Sequence, residues 1–499
     1  MNNELYYKVS RDPIHSEIFL YPLEIVITDT PSMQRLRYLS QLAGAEYVYP
    51  SATHTRFGHS LGVMHLSGLY AKHLYPENHS KYRVLRIAGL VHDIGHGPYS
   101  HQFDDIVYKK MGYKDGHDEF RERIIKGKLI EDIKKGFYNI NDHRTKNDFY
   151  KDLSLTIKKE VCDDNIDEAL NELMNLVIEV FEGENTGSVD FNIVQGPLGA
   201  DRLDFVLRDS YYAGTRHFGT GAVDRLIRNS GMHNNGKIVY SIKVIDDIYT
   251  SLFSRFMMYK NVYFHKTSRA ADQMLQEVLK VAYDVLDLKE RVETPEKFVK
   301  LTDSSIINEL EFLYDIIYEK DRYDLTLNSN LMEKSNKIFY AHEIIMRLKQ
   351  RDLWKLVMEI PFSMTGVDPS VVSMSVAENS LNIIKENIEK TLDLDIDKED
   401  KEILRKILED FDLIFKIDSP YKLSLVHPKE FLASDVYIKD INEDIISFEQ
   451  VYEKYPAYKL MESNLIQIVR IYMKLDDREI LKKYSIIPSA SEVKITTRW

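Results

Sequence analysis

The chain has 499 residues, of which 44% are hydrophobic, so it can bury a large core and divide into more than one lobe, and no segment predicts export or a membrane span. The formal net charge of −13 at pH 7 argues against a general attraction to nucleic acid, so a polyanionic ligand needs a local cationic pocket. The one cysteine, Cys162, excludes an internal disulfide and a cysteine-based zinc cage, which favours a reducing cytoplasmic location.

Apolar residues recur mainly at intervals of three and four, which predicts a mainly α protein with small peripheral β-hairpins. In chain order, the pattern predicts a hairpin of YYKVS (6–10) and EIFLY (17–21) around Asp12-Pro13, helices within 59–74, 81–95, 171–181 and 270–286, and strands at 237–244, 422–426 and 492–499. We expect a catalytic core at residues 1–290, with a helical insertion at 114–192. An α-rich (α+β) C-terminal lobe at 291–499 would serve oligomerisation or regulation.

An adjacent histidine and aspartate, His92-Asp93, follow an amphipathic helical pattern that Gly95 is expected to end. With His59 upstream and Asp201 downstream, they form a mixed nitrogen and oxygen set that leaves coordination positions open for water and a phosphate oxygen. A lone His-Asp pair is usually a surface or capping pair. Further histidines crowd this one, however, and buried polar groups need partners, so a hydrolytic metal site is favoured.

Four segments carry a resemblance to a known family: THTRFGHSLGV (53–63), LVHDIGHGPYSHQFD (90–104), GHDE (116–119) and GADRLDFVLRD (199–209). They resemble the HD-domain deoxynucleoside triphosphate triphosphohydrolases, and the similarity begins at KVSRDPIHSEI (8–18) and covers about the first half of the chain. The resemblance implies an HD-domain helical core that cleaves dNTPs, with dGTP among them, to a deoxynucleoside and tripolyphosphate.

The resemblance implies two groups of active-site residues. The first binds a divalent metal, which is Fe, Mn, Zn or Mg: His59, His92, Asp93 and Asp201. The second surrounds the α-phosphate: His96, His101, His117 and Asp118. Either His101 or His117 would protonate the leaving 5′-oxygen. Asp118, where the family usually has glutamate, would orient His117.

The resemblance also implies a binding site for the nucleotide. Three arginines would grip the triphosphate: Arg56, Arg202 and Arg255. Gln41 and Asp209 would bind the sugar 3′-hydroxyl, Leu42 would pack on the base, and Tyr263 would crowd a 2′-hydroxyl. Asp209 is expected on the same helix face as Asp201. Phe205 and Phe264 stand where the family has tyrosine and glutamine.

Two further sets match regulatory nucleotide sites of mammalian members of the family. The first matches a guanine nucleotide activator site: Lys8, Val9, Asp29, Gln34 and Arg37. The second matches an adjoining deoxynucleotide site: Arg225, Lys243, Lys266, Arg351 and Lys355. Together they imply a homotetramer assembled by GTP or dGTP and a dNTP.

Two other functions stay open from the sequence. The same metal chemistry would serve an HD-domain phosphohydrolase of a signalling nucleotide or a monophosphate. The chain could also be a nucleotide sensor or nucleic-acid-binding module with vestigial catalysis, although the complete ligand set and the acidic charge oppose this, and a groove for single strands would have to be local.

Overall fold

The structure is a computed structural model that describes residues 8–114, 116–219, 222–233, 236–319, 332–363, 369–419, 436–447, 450–451, 454 and 466–487. The expected strands at 422–426 and 492–499, and the first two residues of the expected strand at 6–10, lie outside these residues. Within the described ranges, no helix combines the length and the apolar character needed to cross a membrane.

The fold is mainly α, which confirms the prediction from apolar spacing. The expected insertion at 114–192 is helical. The α-helices are Pro22–Thr28, Pro31–Gln34, Arg56–Leu74, His79–Val91, His101–Phe103, Gly116–Ile124, Ile130–Tyr138, His143–Ile157, Ile166–Glu182, Val189–Gln195, Ala200–Tyr212, Val223–Arg228, Ile245–Met258, Lys266–Val285, Leu288–Glu293, Pro295–Phe298, Asp303–Glu319, Ser335–Lys349, Pro369–Leu392, Lys398–Glu409, Phe411–Ile414 and Leu475–Lys483. Single π-helical turns lie at Asp104–Tyr108, Ile125–Leu129 and Tyr259–Tyr263.

The strands form three small sheets. The N-terminal hairpin pairs Lys8–Asp12 antiparallel with Ser16–Leu20. A four-stranded sheet has the order Ser230–Met232, Ile238–Ser241, Tyr437–Lys439 and Ile445–Ser447, and its two middle strands are parallel. A three-stranded antiparallel sheet has the order Lys355–Ser363, Ile466–Met473 and Lys416–Asp418.

The strand expected at 237–244 is shorter than its alternating pattern suggests. It ends at Ser241, whose hydroxyl accepts a hydrogen bond from the Lys243 backbone N–H, and a 3₁₀ turn leads directly into the helix that begins at Ile245. Local hydrogen bonding by serine competes with the strand ladder at this point.

The largest apolar core is one cluster of contacting side chains, which come from residues between Ile18 and Trp354 and also include Ile438 and Tyr472. A separate core cluster begins at Val357 and lies within the later part of the chain. The expected domain boundary at residue 290 stays a prediction. In the structure, buried apolar side chains up to Trp354 belong mainly to the largest core, and most of those in the second cluster follow residue 355.

Buried Arg35 and half-buried Asp303 tie the segment after residue 295 to the turn that follows His92. Arg35 donates hydrogen bonds to the carbonyl oxygens of His96, at 2.5 Å, and Leu301, at 2.9 Å. Asp303 accepts a hydrogen bond of 2.7 Å from the Tyr99 backbone N–H. Since these contacts satisfy backbone groups of the turn, they fix its position.

Candidate metal and phosphate site

The residues expected to bind a metal come from three helices. His59 lies on Arg56–Leu74, His92 and Asp93 directly follow His79–Val91, and Asp201 lies in the first turn of Ala200–Tyr212. The second of these helices ends at Val91, earlier than the expected end at Gly95. A Cβ atom on Gly95 would lie 2.0 Å from the His117 carbonyl oxygen, so glycine permits this close backbone approach.

The four side chains meet at one point. His59 Nε2 lies 3.1 Å from Asp201 Oδ1 and 3.9 Å from Asp93 Oδ2. His92 Nε2 lies 3.3 Å from Asp93 Oδ1 and 3.7 Å from Asp201 Oδ1. One ligand atom from each of His59, His92 and Asp93 lies within 4.8 Å of the others. The structure therefore brings together all four residues of the expected set.

Hydrogen bonds outside the cluster aim both imidazoles at its centre. His59 Nδ1 donates to Asp204 Oδ2 at 2.8 Å, and His92 Nδ1 donates to the Gly89 carbonyl oxygen at 2.8 Å. The Nε2 atom of each ring therefore faces the carboxylates, and His92 Nε2 is buried without a hydrogen-bond partner among the described residues. Two imidazole nitrogens and two carboxylates fit a divalent metal, because outer hydrogen bonds commonly fix histidine ligands in this way.

Asp204, which the sequence analysis did not single out, is the centre of this supporting network. Its side chain is fully buried. It accepts hydrogen bonds from His15 and His59, and two from Arg208. Although burial opposes ionisation, the Arg208 guanidinium and the hydrogen bonds from both histidines hold the pKa of Asp204 well below its usual range. Asp204 therefore stays charged.

The charges in the cluster suit a bound cation. Burial opposes ionisation of Asp93, but Arg56 and the neighbouring histidines hold its pKa well below the usual range. Burial also opposes protonation of His59, yet its hydrogen bonds with Asp201 and Asp204 raise its pKa to about 10. Burial lowers the pKa of His92. The anionic pocket holds a proton on His59 that a metal would displace.

A second cluster of three histidines surrounds Asp104, another residue missed from the sequence. Asp104 Oδ2 accepts a 3.1 Å hydrogen bond from His101 Nδ1, and it lies 3.2 Å from His117 Nδ1 and 3.7 Å from His96 Nδ1. The rings of His96 and His117 stack at 4.1 Å. His96 Nε2 lies 3.3 Å from Asp93 Oδ1, which joins this cluster to the metal residues.

The two inner histidines of this cluster differ in proton affinity. Burial, with the charges of Arg56 and His117, holds the pKa of His96 well below its usual range. Burial also opposes protonation of His117, but its contact with Asp104 and that carboxylate's charge raise its pKa. Near neutral pH, His96 is therefore a neutral hydrogen-bonding group, whereas His117 is suited to hold a proton.

The expectation that Asp118 orients His117 stays a prediction. The Asp118 carboxylate is 3.8 Å from His117 Nε2 and instead accepts a hydrogen bond from Arg121 on the same helix. Asp104 is the carboxylate nearest His117 Nδ1. The short side chain of aspartate at position 118 and the competing Arg121 guanidinium account for the longer distance to Asp118.

The nucleoside residues meet beside this centre. Tyr263 donates a hydrogen bond of 2.5 Å to Asp209 Oδ2, and His54, also missed from the sequence, donates one of 2.8 Å to Asp209 Oδ1. Leu42 packs in the same apolar cluster as Tyr263. Gln41 Oε1 is buried without a hydrogen-bond partner among the described residues. These contacts place polar and apolar side chains of the expected nucleoside set next to one another.

The three expected triphosphate arginines differ in their surroundings. Arg56 is buried and donates hydrogen bonds to Asp93 Oδ2, at 2.5 Å, and to Ser100, at 2.7 Å. Arg202 is half-buried on the helix that carries Asp201. Arg255 is half-buried near the end of its helix and lies close to Tyr263. Arg56 therefore contacts Asp93 of the expected metal-binding set directly.

The first expected activator set lies on one surface. Lys8 Nζ is 3.7 Å from Asp29 Oδ2, and both line a mainly apolar cleft of about 480 Å³. Arg37 donates a 2.8 Å hydrogen bond to Gln34 Oε1, and Val9 is exposed. The side chains thus provide cations, a carboxylate and an amide beside an apolar wall.

The second expected set divides into two places. Lys266, Arg351 and Lys355 line one cleft of about 210 Å³ together with Arg478, which the sequence analysis did not select. Trp354 also lines it, and its Nε1 is buried without a hydrogen-bond partner among the described residues. This cleft has the charge and the free donor expected of an anion site.

Arg225 and Lys243 do not line this cleft. Arg225 forms an ion pair with Asp247 and donates a 2.8 Å hydrogen bond to the Lys243 carbonyl oxygen. They form a separate exposed group on the four-stranded sheet side of the fold.

Comparison with known proteins agrees with this geometry. Residues 56–161 match the family model of the HD domain, and residues 222–318 match that of the HD associated region. The chain resembles the HD-domain dNTP triphosphohydrolases. It is 27% identical over 381 residues to the SAMHD1 homologue of Dictyostelium discoideum, named a deoxynucleoside triphosphate triphosphohydrolase, covering 74% of this chain and 63% of that protein. Human SAMHD1 is 27% identical over 378 residues, covering 70% of this chain and 55% of that protein.

The chain therefore spans about six tenths of the length of these relatives. Two crystal structures share the fold. A phosphohydrolase from Bacteroides thetaiotaomicron has a TM-score of 0.62 at 21% identity, covering 94% of this chain and all of its own. A hypothetical protein from Aquifex aeolicus has a TM-score of 0.58 at 23% identity, covering 96% of this chain and 98% of its own.

Proposed function

We propose that the protein is a metal-dependent dNTP triphosphohydrolase that releases a deoxynucleoside and tripolyphosphate. The observation that carries this proposal is a contact between two clusters. One is the histidine cluster around Asp104, and the other is the metal group, which we define as His59, His92, Asp93 and Asp201. His96 Nε2 of the histidine cluster lies 3.3 Å from Asp93 Oδ1 of the metal group. A phosphate held between them would meet a Lewis acid on one side and proton donors on the other. The resemblance to dNTP triphosphohydrolases supports this substrate class.

In this reaction a water oxygen forms a bond to the α-phosphorus, and the bond between that phosphorus and the 5′-oxygen breaks. The 5′-oxygen leaves with a proton as the deoxynucleoside, and the attacking water loses a proton as tripolyphosphate forms. His59, His92, Asp93 and Asp201 would hold a divalent metal, and the chemistry it would supply is polarisation of a phosphoryl oxygen and activation of the water.

The side chains around Asp104 supply proton transfer. His117 is the better of the two proton donors expected from the sequence, because its raised pKa keeps the proton near neutral pH. His101 is largely exposed and shares the same carboxylate. His96 stays neutral and would donate a hydrogen bond to a phosphate oxygen.

Substrate selection is assigned to the expected nucleotide-binding side chains beside these clusters. Arg56, Arg202 and Arg255 would bind the triphosphate. The Tyr263 hydroxyl, which is held by Asp209, would leave no room for a 2′-hydroxyl, so deoxynucleotides, including dGTP, would be preferred. Gln41 and Leu42 would contact the sugar and the base.

Regulation belongs to the same proposal. GTP or dGTP would bind the surface that includes Lys8 and Asp29, and a dNTP would bind the cleft lined by Lys266, Arg351 and Lys355. Binding of both would stabilise a homotetramer by mass action, because nucleotides that bind only the assembled form favour it.

The decisive experiment is product analysis. Purified protein with bound metal is incubated with each dNTP, with and without GTP, and products are separated by ion-exchange chromatography. Deoxynucleoside and tripolyphosphate in equal amounts are expected. Release of pyrophosphate or orthophosphate would contradict the proposal and favour another HD-domain phosphohydrolase activity.

A pair of histidine variants tests the metal group. His92→Ala should lose bound metal and hydrolysis together, because it removes a ligand whose Nε2 has no other partner. His73→Ala is the matched control, since within the described part of the chain the His73 side chain forms a single hydrogen bond, to the Ser230 carbonyl oxygen. Metal content is measured by elemental analysis, and retained metal in His92→Ala would remove His92 from the site.

A further inference from the structure

The turn of the N-terminal hairpin is built into the support of the metal group. Asp12 Oδ1 accepts hydrogen bonds of 2.9 Å from the backbone N–H groups of Ile14 and His15, which fixes the turn. Asp12 Oδ2 accepts a hydrogen bond of 2.8 Å from Arg208. The turn is therefore held on both sides, by its own backbone and by the helix that carries Asp201.

His15 and the metal residue His59 bind the two oxygens of one carboxylate. His15 Nε2 donates to Asp204 Oδ1 at 2.6 Å, and His59 Nδ1 donates to Asp204 Oδ2 at 2.8 Å. The exposed fraction of the His15 side chain is 7%, and that of Asp204 is zero. Because the two bonds share a planar carboxylate, a shift of His15 turns the plane that orients the His59 ring.

The same hairpin carries part of the expected activator surface. Lys8 and Val9 begin the strand that ends at Asp12, and every residue of this strand pairs with Ser16–Leu20 in an unbroken register. Four strand steps span about 13 Å. A nucleotide that binds at Lys8 and Asp29 would thus act on a short rigid unit whose other end contacts Asp204.

We infer that His15 is a positioning residue for the metal ligand His59, and that the N-terminal hairpin couples nucleotide binding at Lys8, Val9 and Asp29 to metal affinity. The second part rests on the activator site of the proposed function. Such coupling is reciprocal, so a nucleotide that tightens metal binding must be bound more tightly by the metal-loaded protein, by the same factor.

The positioning role is tested by metal binding rather than turnover. Apo full-length protein is titrated with Mn²⁺, and free Mn²⁺ is followed by electron paramagnetic resonance. His15→Phe removes one donor to Asp204 and should weaken Mn²⁺ binding about 10- to 100-fold, the usual effect of losing an outer-shell partner. His15→Gln keeps an N–H donor near the position of Nε2 and should recover most of the affinity.

His65→Phe is the matched control. The His65 ring centroid is 5.1 Å from that of His15, but among the described residues Asp204 accepts its side-chain hydrogen bonds from His15, His59 and Arg208 and not from His65. It should bind Mn²⁺ like the wild type. Unchanged affinity in His15→Phe would overturn the positioning role, and so would an equal loss in His65→Phe. Circular dichroism of each apo variant identifies a failure to fold, in which case the His15→Gln and His65→Phe comparison decides.

The coupling is tested with GTP as the probe. In wild-type protein, saturating GTP should tighten Mn²⁺ binding at least about fivefold, the lower end of ordinary allosteric coupling. The factor should fall towards one in His15→Phe. GTP that binds without changing Mn²⁺ affinity would overturn the coupling alone. Absence of GTP binding would overturn it together with the activator site, but would leave the product analysis and the His15 result intact.

Discussion

Gly62 provides the sharpest structural test of the network behind the metal group. It lies on helix Arg56–Leu74, three residues after His59, and a Cβ atom there would lie 1.9 Å from Asp204 Oδ1 and 2.5 Å from Arg208 Nη2. Asp204 cannot turn away without breaking hydrogen bonds to His59 and Arg208. We therefore expect Gly62→Ala to displace the carboxylate that orients His59.

The expected cost follows from three contributions. Alanine in place of glycine within a helix favours folding by about 1 kcal/mol. Overpacking of a buried site costs about 1–3 kcal/mol. Disturbing one side of a buried ion pair, here Asp204 with Arg208, costs up to about 3–5 kcal/mol when the pair is broken outright. If the Asp204–Arg208 ion pair is only partly broken, Gly62→Ala should lower the free energy of unfolding by about 2–4 kcal/mol.

Gly58→Ala is the control on the same helix. Its Cβ would lie 3.6 Å from Arg208 Nη1, an ordinary contact, so its stability should change by less than about 1 kcal/mol. Urea denaturation followed by circular dichroism measures both variants, and elemental analysis gives their metal content. The reasoning is refuted if Gly62→Ala unfolds at the same urea concentration as Gly58→Ala and keeps the same metal content.

Three further changes test other parts of the structure. Arg470 and Glu359 form an ion pair with no exposed side-chain surface, so Arg470→Met should lose about 3–5 kcal/mol in urea unfolding, and adding Glu359→Gln should restore much of it; additive losses would contradict this. Tyr263→Phe removes the tyrosine hydroxyl and should reduce the kcat/KM preference for dNTPs over ribonucleotides about fivefold, since a hydrogen bond contributes about 1 kcal/mol; an unchanged ratio would exclude that hydroxyl from sugar selection. Asp104 raises the pKa of His117, so Asp104→Asn should move the alkaline limb of the kcat–pH profile to lower pH, where His117 loses its proton, and an unmoved limb would exclude His117 as the proton donor.

The clustering of His59, His92, Asp93 and Asp201 could be predicted because the chemistry these side chains share is visible in the sequence. His92 and Asp93 are adjacent, and the segments around His59 and Asp201 belong to the same recognisable pattern. The helical spacing of apolar residues also predicted the elements that carry them. Their side chains meet because helix Arg56–Leu74 packs against helices His79–Val91 and Ala200–Tyr212, and this packing is seen only in the structure.

The supporting residues could not be predicted in the same way. His15 and Asp204 are 189 residues apart, and His54 and Asp209 are 155 apart. A lone histidine in a sequence is usually exposed or bonded to a nearby residue. The same holds for an aspartate that follows another aspartate by three residues on a helix, so neither pattern indicates a distant partner. The one available signal was position, because Asp204 and Asp104 both lie within the segments that carried the resemblance.

The sheet in the later part of the chain was missed for a different reason. Lys355–Ser363 and Ile466–Met473 pair along almost their full length. Their short apolar runs do not alternate cleanly with polar residues, and periodicity alone does not separate such runs from buried helical segments. A strand that pairs with a segment more than a hundred residues away leaves no local sign of its partner.

The contacts of Arg35 and Asp303 have a practical consequence for fragment design. A recombinant fragment that stops at residue 290 would lose the Leu301 carbonyl that receives Arg35 and the carboxylate that receives the Tyr99 N–H. It would also lose the apolar side chains that residues 292–354 contribute to the core, and this loss would uncover the side chains packed against them. Such a fragment should be prone to aggregation and degradation, whereas one that continues through Trp354 would keep the turn after His92 supported and retain the core side chains of residues 292–354.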